Sequence, residues 1–206
     1  MSQTADVTVF LVDDEPEVAT ALVWLLDSVK INTCALHSGA ALLTTLAALN
    51  GPACAVIDLR MPEMSGLELL QQMNERGHRI PVLFLSAHGD VPAAVKAMQL
   101  GAIDFLQKPF NSQAFLHGVN RAIKLAREVW EQRVRGINLE LLLARLSDRE
   151  KDILQSLSLG QTSKEIARTL GISPKTVDVH RANVMRKLEV TTYRDLVNKL
   201  RGIYAP

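Results

Sequence analysis

The chain has 206 residues, 48% hydrophobic and 22% charged, with a formal net charge of +1. That composition excludes a disordered or fibrous chain and suits two small domains, each able to bury a core. No apolar run approaches the roughly 20 residues of a membrane span, and the opening MSQTAD lacks the basic-then-apolar pattern of a signal peptide, so a cytoplasmic protein without a membrane partner is expected. Cys34 and Cys54 sit in strand-like apolar stretches rather than a CxxC or Cys/His cluster and read as buried reduced thiols.

Charge is unevenly spread. Residues 1–140 carry 11 Lys and Arg against 15 Asp and Glu, a net of −4, while residues 141–206 carry 12 against 7, a net of +5. A small basic domain behind a mildly acidic one fits nucleic-acid binding at the C-terminal end, although such a balance also arises on an ordinary solvated face.

From Val7 to about Phe110, short apolar runs alternate with longer stretches of helical period. Strands are predicted at Val7–Val12, Ile31–Leu36, Ala53–Ile57, Pro81–Leu85 and Ile103–Leu106. Helices are predicted near Glu17–Lys30, Gly39–Leu49, Gly66–Arg76 and Val91–Leu100, with a last one from Ser112. Five βα units with near-continuous apolar strands call for a doubly wound parallel sheet covered on both faces. Beyond Leu106 a helical stripe runs through Phe115, Val119, Ile123, Ala126, Trp130, Val134, Ile137 and Leu141, with Gly136 as a candidate break. The final segment reads as short helices: SDRE (Ser147–Glu150) and TSKE (Thr162–Glu165) match the capping-box pattern, and Gly160 and Gly171 stand where helices should end. The expected division is 7–122, a helical linker over 123–141, and 142–206.

The predicted strands place polar residues at their carboxyl ends: Asp13 and Asp14 after the first, Asp58 after the third, Ser86 after the fourth, and Lys108 with Pro109 after the fifth. In an open parallel sheet these ends share one edge, and a site forms where the strand order reverses. If the order is 2-1-3-4-5, the first and third strands bring three carboxylates together. Their repulsion would be relieved by a hard divalent cation such as Mg²⁺, or Mn²⁺. A nucleophilic carboxylate, a metal, a hydroxyl donor and a cation are what phosphoryl transfer to Asp needs, and Asp58 is central among them. A lone Asp at a strand end is usually a turn or cap and a lone Lys a solvated charge; five such groups at successive strand ends are not readily explained that way.

VDDE, IDLRMPEMSG, LSAHG and FLQKPF, in this order over most of residues 7–122, resemble the receiver domain of two-component response regulators. The resemblance implies a flavodoxin-like sheet of order 2-1-3-4-5 and Asp58 as phospho-acceptor. It implies Mg²⁺ held by Asp13, Asp14, Asp58 and the Arg60 carbonyl, and phosphoryl contacts from Ser86 and Lys108. It also implies a cis Lys108–Pro109 bond and a rotamer switch at Ser86 and Phe105, where many members have Thr and Tyr.

Thr162–Leu170 is predicted to be a helix, Gly171 and Ile172 a tight turn, and Ser173 the N-cap of a second helix beginning at Pro174. On the second helix Val177, Val184 and Leu188 share an inward face. Lys175, Val179, Ala182 and Arg186 lie opposite, flanked by Asp178 and Asn183, a pattern that suits a major groove and equally suits a small helical bundle. LSDRE followed by TSKEIARTLGISPKTVDVHRANVMRKL resembles the LuxR-type helix-turn-helix, and its pairing with a receiver resembles the FixJ and NarL group. The resemblance implies DNA contacts from Lys175, Thr176, Asp178, Val179, Arg181, Ala182, Asn183 and Arg186. Asp178 stands where some relatives carry Lys, so it would attract phosphate less or accept from a cytosine amino group.

The partners expected are a sensor histidine kinase, double-stranded promoter DNA, a second copy of the chain upon phosphorylation, and RNA polymerase. No separate enzymatic activity is expected: phosphatases that use an Asp nucleophile place a second Asp two residues on, where this chain has Arg60. A receiver that only dimerises is the other alternative. The Trp130–Val134 stripe reads equally as a relay toward the DNA-binding end, a helix packed permanently on the receiver, or a coiled coil.

Overall fold

A computed structural model of the chain describes residues 6–87 and 91–200. Between Gln132 and Arg133 the chain divides into two compact units. In the first, strands β1 (Thr8–Val12), β2 (Thr33–Leu36), β3 (Ala53–Asp58), β4 (Val82–Ser86) and β5 (Asp104–Gln107) alternate with helices α1 (Pro16–Ser28), α2 (Gly39–Ala47), α3 (Gly66–Glu75) and α4 (Val91–Gln99); α5 (Ser112–Ala144) follows. The strands form one parallel sheet of order β2-β1-β3-β4-β5.

Alternation along the strands explains both layers, since successive side chains point to opposite faces. Phe10, Val12, Ala55, Ile57, Val82 and Phe84 pack with α2, α3 and α4 on one face. Val9, Leu11, Cys54, Val56, Leu83 and Leu85 pack with α1 and the start of α5 on the other. β3 is buried along all six residues, whereas the edge strands β2 and β5 are only partly buried. Burial pushes the Cys54 thiol up to about 12, which removes thiolate reactivity.

The predicted elements all form, with small differences at their ends. α1 stops at Ser28 rather than Lys30 because Lys30 adopts a left-handed φ of 59°. α3 begins on a capping box, Ser65 with Glu68, that the sequence reading passed over. Gly136 does not break α5: it lies inside that helix with open space at its Cβ position, so its cost is only the roughly 1 kcal/mol of its poor helix propensity. The long apolar stripe is divided in function. Phe115, Val119, Ile123 and Ala126 are buried in the first unit, whereas Val134, Ile137 and Leu141 are exposed and the second unit buries Leu139 and Leu142 instead.

The second unit adds α6 (Asp148–Ser158), α7 (Ser163–Leu170), α8 (Pro174–Lys187) and α9 (Tyr193–Leu200) around a core of Leu142, Ile153, Leu154, Ile166, Val177, Val184, Leu188 and Leu196. Both predicted capping boxes form, and Gly160 and Gly171 adopt positive φ after α6 and α7. The helix C-termini are closed by side chains of other helices. Lys187 Nζ donates to the Arg145 carbonyl after α5 (3.1 Å), the Tyr193 hydroxyl to Leu157 in α6 (2.9 Å), Arg149 to Leu170 in α7 (3.0 Å), and Lys199 to Leu188 after α8 (2.6 Å). Cations there also meet the negative end of the helix dipole.

Candidate functional site

The connection from β1 runs outward to β2 and the chain then returns to β3 on the other side of β1, so the crevice between β1 and β3 is the reversal point of the sheet. Register sets what lies there. Val12 pairs with Ile57, so Asp13 and Asp58 stand side by side one residue further on. Asp13 is fully buried and Asp58 nearly so. Lys108, delivered by the end of β5, reaches both: its Nζ lies 2.6 Å from Asp58 Oδ1 and 3.1 Å from Asp13 Oδ2. The other oxygens are held by backbone, Asp58 Oδ2 by the Arg60 N–H at 2.7 Å and Asp13 Oδ1 by the Glu15 N–H at 2.9 Å. Burial would lower the Lys108 pKa, but hydrogen bonds and charge from Asp58 and Asp13 outweigh it and hold the ammonium above the usual lysine value.

Ser86 ends β4 and is buried, and its carbonyl accepts the Lys108 N–H at 2.7 Å, which ties the fourth and fifth strand ends together. The Lys108–Pro109 bond is cis. Phe105, on the edge strand, is partly buried against the α2–α4 layer. His88 and Gly89 of the LSAHG motif lie outside the described residues. The three carboxylates do not stand as one cluster: among the described residues no three His, Cys, Asp or Glu side chains form a ready metal cage. Asp13 and Asp58 converge on Lys108, and Asp14 is only partly buried. Arg60 points no carboxylate into the site; its side chain is exposed and only its N–H touches Asp58.

In the second unit Ser173 caps α8 by accepting from the Thr176 N–H, and Pro174 opens the helix. Val177, Val184 and Leu188 are fully buried. Lys175, Thr176, Asp178, Val179, Ala182 and Arg186 are exposed, and Arg181 and Asn183 are intermediate. α8 therefore presents a continuous outward face with a cation near each end, and α7 packs against it through Ile166 and Ala167.

Two polar pairs escaped the sequence reading. Glu150, the buried member of the first capping box, also meets Lys187 of α8 at 2.6 Å. That contact, followed by the Ser147 N–H, holds its carboxyl below the usual range. Asp178 accepts the Ser163 hydroxyl of α7 at 2.8 Å. The partners are 37 and 15 residues apart, too far for any helical period to announce them.

Comparison with known proteins matches both units. The family model for the response regulator receiver domain covers residues 9–120, and that for bacterial regulatory proteins of the luxR family covers residues 144–200. The chain is 42% identical to the transcriptional regulatory protein TdiR of Thauera aromatica, over 93% of this chain and 84% of that one. It is 41% identical to the transcriptional regulatory protein FixJ of Azorhizobium caulinodans, over 92% and 89%. Among solved structures, the response regulator StyR is similar with a TM-score of 0.79 and 39% identity, covering 95% of this chain and 98% of that one. The acidic crevice at the reversal point of a parallel sheet and the capped helix-turn-helix thus belong to one architecture, and the chain is a member of the two-component response regulators that join a receiver to a LuxR-type DNA-binding domain and regulate transcription.

Proposed function

We propose that a sensor histidine kinase transfers a phosphoryl group to Asp58, and that the modified receiver controls pairing of two copies and promoter binding through α8. The domain limits that go with this reading are 7–122 for the receiver, 123–141 for a helical linker and 142–206 for the DNA-binding domain, with the cytoplasm as the place of action. The observation that carries it is the convergence of Lys108 on Asp58 and Asp13 at the reversal point of the sheet.

In this reading an Asp58 carboxylate oxygen attacks the phosphorus of a phosphohistidine. The P–N bond breaks, its electron pair returns to the imidazole, and a mixed anhydride forms on Asp58. The Arg60 N–H holds the carboxylate in place; Lys108 and the Ser86 hydroxyl would meet the oxygens of the incoming group. The site suits Mg²⁺ or Mn²⁺: Asp13, Asp14 and Asp58 with Lys108 carry a net charge of −2, all the donors are hard oxygens, and Mg²⁺ keeps several waters and so needs no closed protein cage. Asp13, Asp14, Asp58 and the Arg60 carbonyl would hold it, and it would neutralise charge on the transferring group.

For DNA, Lys175 and Arg186 would take phosphates, Val179 and Ala182 would meet base edges, and Thr176, Asp178, Arg181 and Asn183 flank that surface. A single recognition helix reads few base pairs, so paired half-sites and a dimer are the natural readout, with RNA polymerase as a further partner at the promoter. The test is intact mass after incubation with phosphorylated kinase or a small acyl phosphate. One phosphoryl group should be gained in the presence of Mg²⁺, and none with excess chelator or in Asp58→Asn; labelling of that variant would overturn the assignment.

A further inference from the structure

Asp178 stands on the flank of α8, one residue after the fully buried Val177 and one before Val179, which is 56% exposed. Its Oδ1 accepts the hydroxyl of Ser163, the first residue of α7. Ile166, Ala167, Val177 and Val184, by contrast, join α7 and α8 through apolar packing. Burial of that kind is non-directional: it holds the two helices together but resists a small roll or slide only weakly. A hydrogen bond to a carboxylate is short and directional, and a negative charge beside the first turn of α7 is favoured by its dipole. The same charge is unfavourable toward phosphates, so attraction to the DNA backbone does not account for an acid at this place.

We propose that Asp178 is a positioning residue, which through Ser163 fixes the roll of α8 against α7 and thereby selects how Val179, Ala182 and Arg186 meet the bases, without contacting DNA itself. The inference rests on α8 being the DNA-reading helix. It makes the Ser163–Asp178 pair a determinant of specificity although neither side chain belongs to the central outward face of α8. Loss of the bond lets α8 sample several rolls, so that preference is blurred at several neighbouring base pairs together.

The experiment selects preferred duplexes from a random library with the full-length protein bearing a phosphoryl mimic, then measures affinity for one of them. Asp178→Ala and Ser163→Ala should each weaken binding about fivefold to tenfold, the scale of one ordinary net hydrogen bond, as suits an exposed pair. The double variant should bind no more weakly than the single ones, as expected of partners in one interaction. Asp178→Asn retains an acceptor and Ser163→Thr retains the hydroxyl, so both should stay within about twofold of the original. This rescue, with unchanged thermal midpoints, separates positioning from loss of fold. Reselection with Asp178→Ala should relax preference over several adjacent positions. Relaxation at a single base pair with Ser163→Ala silent would make Asp178 a direct reader and overturn the proposal, as would tighter binding of Asp178→Ala to every duplex. If the original protein enriches and binds no duplex, the assignment of α8 falls and takes the proposal with it.

Discussion

The Cβ that Gly66 lacks would lie 2.5 Å from the carbonyl oxygen of Asp58 and 2.9 Å from the ring of Phe84. The start of α3 therefore packs directly on the backbone that carries Asp58, the proposed phospho-acceptor. Gly66→Ala should destabilise the receiver by about 1–3 kcal/mol, the usual cost of overpacking, because main chain cannot move aside as a flexible side chain can. Thermal unfolding would show it as a lower midpoint, with the rate of phosphoryl uptake falling in the same variant. Gly136→Ala, which meets open space inside α5, should instead be neutral or slightly stabilising.

Lys108→Ala should leave the receiver folded but impair phosphorylation or its signalling. Without the ammonium, Asp13 and Asp58 lose the cation that both reach, and their mutual repulsion is no longer offset. Thermal unfolding would check the fold and intact mass after incubation with an acyl phosphate would check uptake; normal uptake and normal signalling would remove Lys108 from the site.

The DNA-binding domain should lose stability in acid through Glu150. Its folded pKa is lowered, first by Lys187 and then by the Ser147 N–H. Its contribution is therefore complete above the unfolded value of about 4.3 and fades as pH falls below it. Glu150→Gln should lose about 1–3 kcal/mol at neutral pH and show a shallower decline in acid. Glu165 and Asp195, lowered by their capping bonds, supply a slope of the same sign that remains in this variant. Unfolding midpoints measured against pH for both proteins would check the difference.

Cations of this domain should divide into two kinds in a salt titration of DNA binding. Lys175→Ala and Arg186→Ala should each reduce the slope of log affinity against log salt by roughly one. Lys187→Ala should lower thermal stability with little effect on that slope, because its ammonium is held by Glu150 and the Arg145 carbonyl.

α4 exposes Val91, Val95 and Met98, and with β5 and the start of α5 it is the face we propose for phosphorylation-dependent pairing. Light scattering should give a higher molar mass with a phosphoryl mimic than without it, and Val95→Asp should prevent the increase while leaving uptake at Asp58 intact. Equal mass in both states over a wide concentration range would sink the dimerisation switch.

The strands were legible because a parallel sheet buries both faces and leaves near-continuous apolar runs; β3 is the clearest case. Asp13, Asp58, Ser86 and Lys108 could be grouped because carboxyl strand ends share an edge, and Ser173 and Pro174 carry a local capping signal. What could not be read depends on distance in the chain. The sequence grouped Asp14 with the other carboxylates, but which of them Lys108 reaches is decided by side-chain packing. Nor does any period reveal that Leu139 and Leu142, not the stripe residues Ile137 and Leu141, are the part of α5 buried in the second unit.

The helix ends of the DNA-binding domain carry a consequence for how it can move. A helix normally frays from its last turn, and local opening there costs little. Here the ends of α5, α6, α7 and α8 are each fastened by a side chain rooted in another helix. Unwinding one end unhooks its neighbour, so amide hydrogens in these final turns should exchange with solvent only as fast as the whole domain opens. These four ends should therefore open only together, and a signal from the receiver would relocate the domain rather than loosen them one at a time.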